Sequence, residues 1–444
     1  MADAKTNPRE LALDILTEVL EEGKFKHLVL GAALDKYQYL EKQDRAFITR
    51  LVDGTIEYCL QIDGVLNRFS SVKVSRMKPL IRTLLRMSVY QILYMDRIPD
   101  AACCNEAVKL AGKRHFQGLK SYVNGVLRTI SREKGKLTFS GLSENYSMPQ
   151  WIVDHFLAYC GKSATEEILK AFLHPSRLAV RLHTDLADRE EILALLAADG
   201  VSVTFPEGLA DLVWLEQVDH LTALKAFQKG YLQVQDLSSY LAGLAAAPEK
   251  GAFCVDVCGA PGGKSLHLAG MLAGSGHVLV RDLSAEKVAL IESNISRSGY
   301  SNIEAQVWDA LEEDPALIGK ADLVVADLPC SGLGVIGRKP DIKYRLKPED
   351  LSSLALLQRQ ILSVVSRYVK PGGHLLYSTC TIDPSENEEN RTWFLANHPF
   401  RPLSLIGRIP ESLAGPSAGE GYQQFLPGID PCDGFFISMY EKLS

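Results

Sequence analysis

The stretch Phe253-Cys-Val-Asp-Val-Cys-Gly-Ala-Pro-Gly-Gly-Lys-Ser-Leu-His-Leu-Ala-Gly-Met-Leu272 constrains this chain more than any other part of it. The apolar run Phe253 to Val257 reads as a buried strand, Cys258 to Lys264 as a tight glycine-rich turn, and the remainder as an amphipathic helix. Such a turn between a parallel strand and a helix leaves backbone N–H groups beside a ligand with nothing bulky in the way. Two phosphate-binding patterns are excluded by counting. A Walker loop needs Gly five residues before Gly263-Lys-Ser, and Cys258 stands there. The pattern G-x-G-x-x-G fails because Gly259 is followed by Ala260 and Pro261. Asp256 closes the strand, and the following helix would face an anionic group with its N-terminus.

From 231 to 444 strands and helices alternate, which predicts a doubly wound, mostly parallel α/β sheet. Its strands are expected at Phe253–Val257, His277–Arg281, Ile303–Val307, Leu323–Ala326, His374–Tyr377 and Gly434–Tyr440. Ligands of such sheets lie at the carboxyl ends of strands, so the residues just past each strand are the informative ones. Asp282 follows the second strand, Asp309 the third, and Asp327 the fourth, in Asp327-Leu-Pro-Cys330-Ser-Gly. One Asp at a strand end is commonly a cap or turn former. Asp256, Asp282, Asp309 and Asp327 at successive ends of one sheet fit a shared ligand better. The fifth strand runs into Ser378-Thr-Cys380-Thr-Ile-Asp-Pro-Ser-Glu-Asn-Glu-Glu-Asn390, so Cys330 and Cys380 should face one cleft. Cys59, Cys160 and Cys254 read instead as inert packed thiols.

The N-terminal part differs. Apolar residues recur at helical spacing in 8–22, 28–37, 43–60, 78–95, 101–113 and 117–132, giving an all-α domain over 1–135. Net charge is −6 for the chain, yet residues 1–150 hold 23 Lys and Arg against 17 Asp and Glu, and 61–140 hold 15 against 5. A basic face of this kind suits a phosphate backbone. Residues 136–176 read as a linker (136–149) followed by helices, and 177–230 as a small α+β subdomain. Residues 406–430, rich in Gly and Pro, read as a loop over the cleft. No run approaches the roughly 20 apolar residues of a membrane span, and the N-terminus lacks a signal-like core, so a cytoplasmic protein is expected, without membrane partners. The nine cysteines have no C-x-x-C pair or framework spacing; reduced thiols and no metal are expected.

These motifs carry resemblances. The turn Cys258-Gly-Ala-Pro-Gly-Gly-Lys264 with Asp256 before it resembles that of class I methyltransferases that use S-adenosylmethionine. Asp44-Arg-Ala-Phe47, Leu85 to Tyr94, Asn105-Glu-Ala-Val-Lys109 and Val123 to Arg128 resemble the RNA-binding domain of the NusB antitermination factor. Within it Arg45, Arg82 and Arg86 would be either phosphate contacts or ion pairs of the bundle. Asp327-Leu-Pro-Cys-Ser-Gly, Ser378-Thr-Cys380, Val234 to Ser239 and Asp433-Gly-Phe-Phe-Ile-Ser, together with the turn, are similar to the RsmB/NOP family of RNA 5-methylcytosine methyltransferases. With the NusB-like domain in front, the chain resembles the bacterial RsmB (Sun, Fmu) branch. In this resemblance 177–230 is an RRM-like RNA-binding subdomain, although His183 stands where the family usually has Asn in Arg-x-Asn-Thr.

The resemblance implies methylation of carbon 5 of cytosine 967 in 16S ribosomal RNA, on naked RNA or an assembling small subunit, by a monomer. Cytosine is too electron-poor at carbon 5 to attack a sulfonium methyl; a thiolate added at carbon 6 makes carbon 5 enamine-like, and a base must then remove its proton. Cys380 would be the nucleophile, Cys330 the base that assists release, and Asp327 a holder of the cytosine edge. Cys258, Gly259, Ala260, Pro261, Gly262, Gly263, Lys264, Asp282, Asp309 and Asp327 would line the S-adenosylmethionine site. The alternatives are the same chemistry on transfer RNA or another RNA, and a non-enzymatic NusB-like assembly or antitermination factor.

Overall fold

A computed structural model describes residues 6–174, 177–218 and 220–444. Residues 1–5 of the expected 1–135 domain, 175–176 at the end of 136–176, and 219 of the small subdomain lie outside the described residues. The chain divides into two compact units, Met1–His174 with Ile336–Leu346, and Pro175–Val335 with Lys347–Ser444.

The first unit is helical. Asn7 accepts a hydrogen bond from the Arg9 N–H at 3.0 Å, and Pro8 occupies the first helical turn, so Pro8–Leu20 starts where capping chemistry places it. Its face of Leu11, Ile15, Leu16 and Val19 packs with Ile48, Leu51 and Val52 of Lys42–Glu57, Leu84 and Leu85 of Pro79–Tyr94, Leu110 of Asp100–Lys113 and Leu127 of Lys120–Glu133. The expected helix over 43–60 is broken at Tyr58, and a separate helix, Cys59–Phe69, follows it. Gly54 explains the tightness there: a Cβ at this position would lie 1.9 Å from the Tyr90 ring.

Residues 136–149 do not form a free linker. Helix Gly141–Asn145 and the kinked helix Gln150–Phe172 belong to this unit, and the polar residues that suggested a linker are hydrogen-bonding groups of its surface. Gln61 donates to the Glu144 carbonyl at 3.0 Å, and Arg68 to the Thr138 carbonyl at 2.8 Å. Residues 336–346 come from a distant part of the sequence, anchored by the buried Lys343 ammonium, which donates to the Glu57 and Ser147 carbonyls at 2.7 Å each. Of the three arginines considered for phosphate, Arg86 grips Asp63 with both Nε and Nη2 (2.7 and 2.6 Å), Arg82 pairs with Glu21, and Arg45 donates to the Leu40 carbonyl. All three contacts lie within the bundle.

The second unit opens with strands β1 (Leu178–Leu182), β2 (Ser202–Thr204), β3 (Leu212–Glu216) and β4 (Leu232–Val234), an antiparallel sheet in the order β2-β3-β1-β4. β4 pairs with β1, Leu232 opposite Leu182, so this subdomain extends past the expected boundary at 230. The larger sheet contains β5 (Phe253–Asp256), β6 (His277–Asp282), β7 (Ile303–Val307), β8 (Ala321–Asp327), β9 (Val369–Thr379), β10 (Phe400–Pro402), β11 (Tyr422–Phe425) and β12 (Phe435–Lys442). Its order is β10-β12-β9-β8-β5-β6-β7, with β11 on β12; β5 to β9 run parallel and β12 is antiparallel to β9.

Strand alternation sets the two cores. Val278, Val280, Leu323 and Val325 pack under Leu237–Ala246 and Gly263–Leu272, while Leu279, Val324 and Ala326 face Ile361, Leu362 and Val365 of Pro348–Val365. Residues 406–430 are not a loop over the cleft: they supply β11, whose Gln423 lies opposite Ile437, and bury Ile409, Ala418 and Phe425. The expected strands missed β10 and β11 because three- and four-residue strands carry too little alternation to read.

Gly54→Ala is expected to overpack Tyr90 at a cost of about 1–3 kcal/mol and lower the melting midpoint of the helical unit by several degrees. A melting curve unchanged from wild type would show that the Tyr90 ring moves aside freely.

Candidate active site

Register fixes the site. Asp256 lies opposite Val280 and Val325, Asp282 opposite Val307, and Asp327 opposite Ser378, so the carboxyl ends of five strands form one edge. The turn after β5 is held from both sides. The Gly259 N–H donates to the Arg281 carbonyl at 2.9 Å, the Ala260 N–H to Asp282 Oδ2 at 3.0 Å, and the Pro261 carbonyl accepts from Asn294 Nδ2 at 2.9 Å. The Ala260–Pro261 peptide is cis. Gly262 has φ +104°, which only glycine adopts without strain, and Gly263 begins the helix Gly263–Leu272. Gly259 is required for space: a Cβ there would lie 2.3 Å from Val280 and 3.0 Å from the Asp256 carboxyl.

Three carboxylates converge on this turn. Asp256 is buried and accepts from Ser265 Oγ at 2.5 Å through one oxygen, while its other oxygen has no partner. Burial pushes its carboxyl up from 3.8 to about 7, the Ser265 hydroxyl opposing and nearby Asp327 adding to the rise. Burial likewise pushes the Cys258 thiol up, reinforced by Asp256, Asp282 and Asp327. Asp282 Oδ1 accepts from the Leu283 N–H (2.8 Å) and from Lys287 (2.9 Å). Asp309 stands one residue past Trp308, whose N–H donates to the Asp282 carbonyl at 3.0 Å. Its own carboxylate caps a local turn at the Leu311 N–H (2.9 Å).

Lys264 leaves the turn it was read with. Its ammonium lies 2.7 Å from Asp327 Oδ2 and 5.1 Å from the Phe435 ring centre, with the side chain only 11% exposed. Ser378 Oγ donates to the other Asp327 oxygen at 2.7 Å. The Asp327 carboxyl thereby has a fixed orientation, and each oxygen keeps a lone pair for a further donor.

Beside it the sulfurs of Cys330 and Cys380 are 3.1 Å apart, both part-buried and unoxidised. The Cys330 thiol is pushed well above its ordinary value, chiefly by its hydrogen bond to Cys380, then by burial and by the charges of Cys380 and Glu386. Among the described residues no group of three or more His, Cys, Asp or Glu side chains is placed to hold a metal, and no helix is long and apolar enough to cross a membrane.

Residues that sequence reasoning missed stand behind the thiols: Ser331, Gln358, Thr381, Glu386 and Asn387, all buried. A signal for one existed, since Gln358 falls on the apolar face of its helix with Leu351, Ala355, Leu362 and Val365. His183 is buried and neutral, its ionisation lowered to about 2 by burial, and it stacks on Tyr300 while pairing with the Tyr300 hydroxyl at 3.3 Å.

Comparison with known proteins agrees with this architecture. Residues 244–441 match the family model described as 16S rRNA methyltransferase RsmB/F, and residues 6–132 match the NusB family. "Probable ribosomal RNA small subunit methyltransferase B" of Bacillus subtilis (strain 168) is 38% identical, with 99% of each chain covered. "Ribosomal RNA small subunit methyltransferase B" of Klebsiella pneumoniae (strain 342) is 31% identical, covering 99% of this chain and 98% of its own. The chain belongs to the RsmB/F methyltransferase family. The crystal structure of PH0851 superposes over 99% of both chains with a TM-score of 0.85 at 26% identity. That of NSun6 from Pyrococcus horikoshii with SFG, an S-adenosylmethionine analogue, covers 67% of this chain and 98% of its own with a TM-score of 0.59 at 20% identity, and shares the fold.

The family is of the S-adenosylmethionine-dependent class, and the residues of this chain fit that group. The Gly259 and Gly262 cradle leaves room for a ligand, the free end of helix Gly263–Leu272 offers N–H donors to a carboxylate, and the strand-end carboxylates Asp282 and Asp309 offer acceptors to hydroxyl and amino groups.

Asp256 ties stability to pH. Folding favours its protonated form, so its contribution is complete below about pH 4 and is lost as pH rises through about 7. In denaturant titrations Asp256→Asn is expected to flatten the fall in unfolding free energy between about pH 4 and pH 7. Parallel curves for variant and wild type would refute the assignment.

Proposed function

We propose that this protein transfers a methyl group from S-adenosylmethionine to carbon 5 of cytosine 967 in 16S ribosomal RNA, free or in an assembling small subunit. Cys380 is the nucleophile and Cys330 the base of the release step. The observation that carries the reading is the 3.1 Å approach of the two sulfurs beside a fixed Asp327. A thiol that keeps its proton next to a second sulfur donates to it and favours the partner as thiolate. Cys330, whose thiol is pushed up beside Cys380, fits that role, and on this reading it activates Cys380 without a histidine.

The chemistry balances. The Cys380 thiolate adds to carbon 6 of a base turned out of its stack, and carbon 5 gains electron density. Bound S-adenosylmethionine supplies the methyl as an electrophile. Once the Cys380 sulfur is bonded to carbon it carries no charge, so the principal influence holding the proton on Cys330 is gone, and that proton passes to solvent. Cys330 then takes the proton from carbon 5. The freed electron pair re-forms the 5,6 double bond and expels Cys380 as thiolate, returning the pair to its starting state with one proton released per methyl. Asp327, held by Lys264 and Ser378, is oriented to accept from the cytosine edge. The helical unit and the small antiparallel sheet grip the surrounding RNA by shape and phosphates.

Cys380→Ser is expected to lose methyl transfer by several orders of magnitude. Cys330→Ser should accumulate an RNA–protein adduct that survives denaturation, because addition and methylation proceed while release stalls. Recovery of free RNA alone from the Cys330 variant would refute its role. Offered separated 16S ribosomal and transfer RNA with labelled donor, the protein should label the 16S pool at one cytosine; labelling of transfer RNA alone would overturn the target and leave the chemistry standing.

A further inference from the structure

The thiols sit in front of a buried polar network in which two consecutive residues, Glu386 and Asn387, each hold the chain on either side of a different cysteine. On the Cys330 side the Ser331 N–H donates to Glu386 Oε2 at 3.0 Å. Gln358 Nε2 donates both to Glu386 Oε2 at 2.8 Å and to the Pro329 carbonyl at 2.9 Å. The peptide groups before and after Cys330 are therefore held by one carboxyl–amide pair. On the Cys380 side Thr379 Oγ1 donates to Asn387 Oδ1 at 2.6 Å, and Asn387 Nδ2 donates to the Thr381 carbonyl at 3.1 Å, again gripping the residues on either side of a cysteine. Ser331 Oγ and Thr381 Oγ1, 2.7 Å apart, join the two loops directly.

The dipeptide itself has little freedom. The Tyr377 hydroxyl donates to the Glu386 carbonyl, the Glu386 N–H donates to Asp383 Oδ2 at 3.1 Å, and Asn387 Nδ2 reaches Gln424 of β11 at 2.7 Å. Glu386 and Asn387 are fully buried, and these contacts hold the residues that flank each thiol. Glu386 Oε1 has no hydrogen-bond partner, but the other side-chain groups named above are paired, and buried networks paired to this degree are rigid.

Building on the function proposed above, we propose that Glu386 and Asn387 are paired positioning residues, Glu386 aligning Cys330 for proton removal and Asn387 aligning Cys380 for attack. A network that merely stabilised the fold would respond alike to loss of either residue. Step-specific positioning makes opposite predictions for the two.

The test compares covalent adduct and turnover in the full-length protein with 16S RNA and S-adenosylmethionine, using Cys330→Ser as reference. Glu386→Ala should lower kcat roughly 10- to 100-fold at unchanged KM for RNA and accumulate adduct as Cys330→Ser does. Glu386→Gln, which can aim a carbonyl oxygen at the same two donors, should restore turnover without adduct. Asn387→Ala should lower kcat by a similar factor with no adduct, and in the Cys330→Ser background should slow adduct formation roughly 10- to 100-fold. Should either alanine variant fail to fold, Gln358→Leu carries the Cys330 arm and Thr379→Val the Cys380 arm.

The same adduct level from both arms, or turnover equal to wild type in both, overturns the inference. So does adduct from Glu386→Gln equal to that from Glu386→Ala, since charge and not geometry would then be at work. Absence of adduct from Cys330→Ser alone would instead defeat the reading of the thiols on which it rests.

Discussion

Two sulfur atoms can meet at 3.1 Å here because β8 and β9 are parallel neighbours in a fixed register. Asp327 lies opposite Ser378, so Cys330, three residues beyond the first, and Cys380, two beyond the second, leave the sheet at the same level. A slip of one residue would turn every side chain of β9 to the other face. What prevents it is the burial of Leu376 in one core and of Leu375 and Tyr377 in the other. The reactive contact is thus a consequence of hydrophobic alternation along a strand.

The same edge concentrates negative charge. Asp256, Asp282 and Asp327 surround one turn, and leaving all three ionised beside Cys258 would be costly in so dry a place. The protein resolves this unevenly. Asp327 is neutralised by Lys264 and Asp282 by Lys287, while Asp256, with only the Ser265 hydroxyl, keeps a proton up to about pH 7. Lys264 is the hinge of this arrangement. It begins in the glycine turn and ends on the carboxylate of Asp327, so one side chain ties the end of β5 to the end of β8.

Much of this was legible in the sequence because it depends on short patterns. The strand Phe253–Asp256, the glycine turn and the acidic strand ends need only a few consecutive residues, and parallel strands buried on both faces read as near-continuous apolar runs. The parts that were not legible depend on partners far away in sequence. Helix Cys59–Phe69 looks like the continuation of the one before it. The 336–346 segment reveals its place only through Lys343 meeting the carbonyls of Glu57 and Ser147. β4 and β11 are defined by Leu182 and Ile437 across from them more than by their own composition. Lys264 was legible as a member of the turn, but its direction was set by Asp327, sixty-three residues later.

The asymmetry between the two thiols has a physical basis that follows from what lies behind each. Cys330 has Glu386 on its flank, a carboxyl itself raised to about 7 by burial, and any charge there disfavours a thiolate at 330. Cys380 is flanked by the neutral amide of Asn387 and has its own carbonyl satisfied by the Gly334 N–H at 3.1 Å. On the function proposed above, chemically identical groups given unlike neighbours divide into a proton holder and a nucleophile, the general way in which pairs of titratable groups acquire separate roles. On that proposal the contact with Cys380, which pushes the Cys330 thiol up, is lost when the Cys380 sulfur bonds to carbon, the point at which a base is needed.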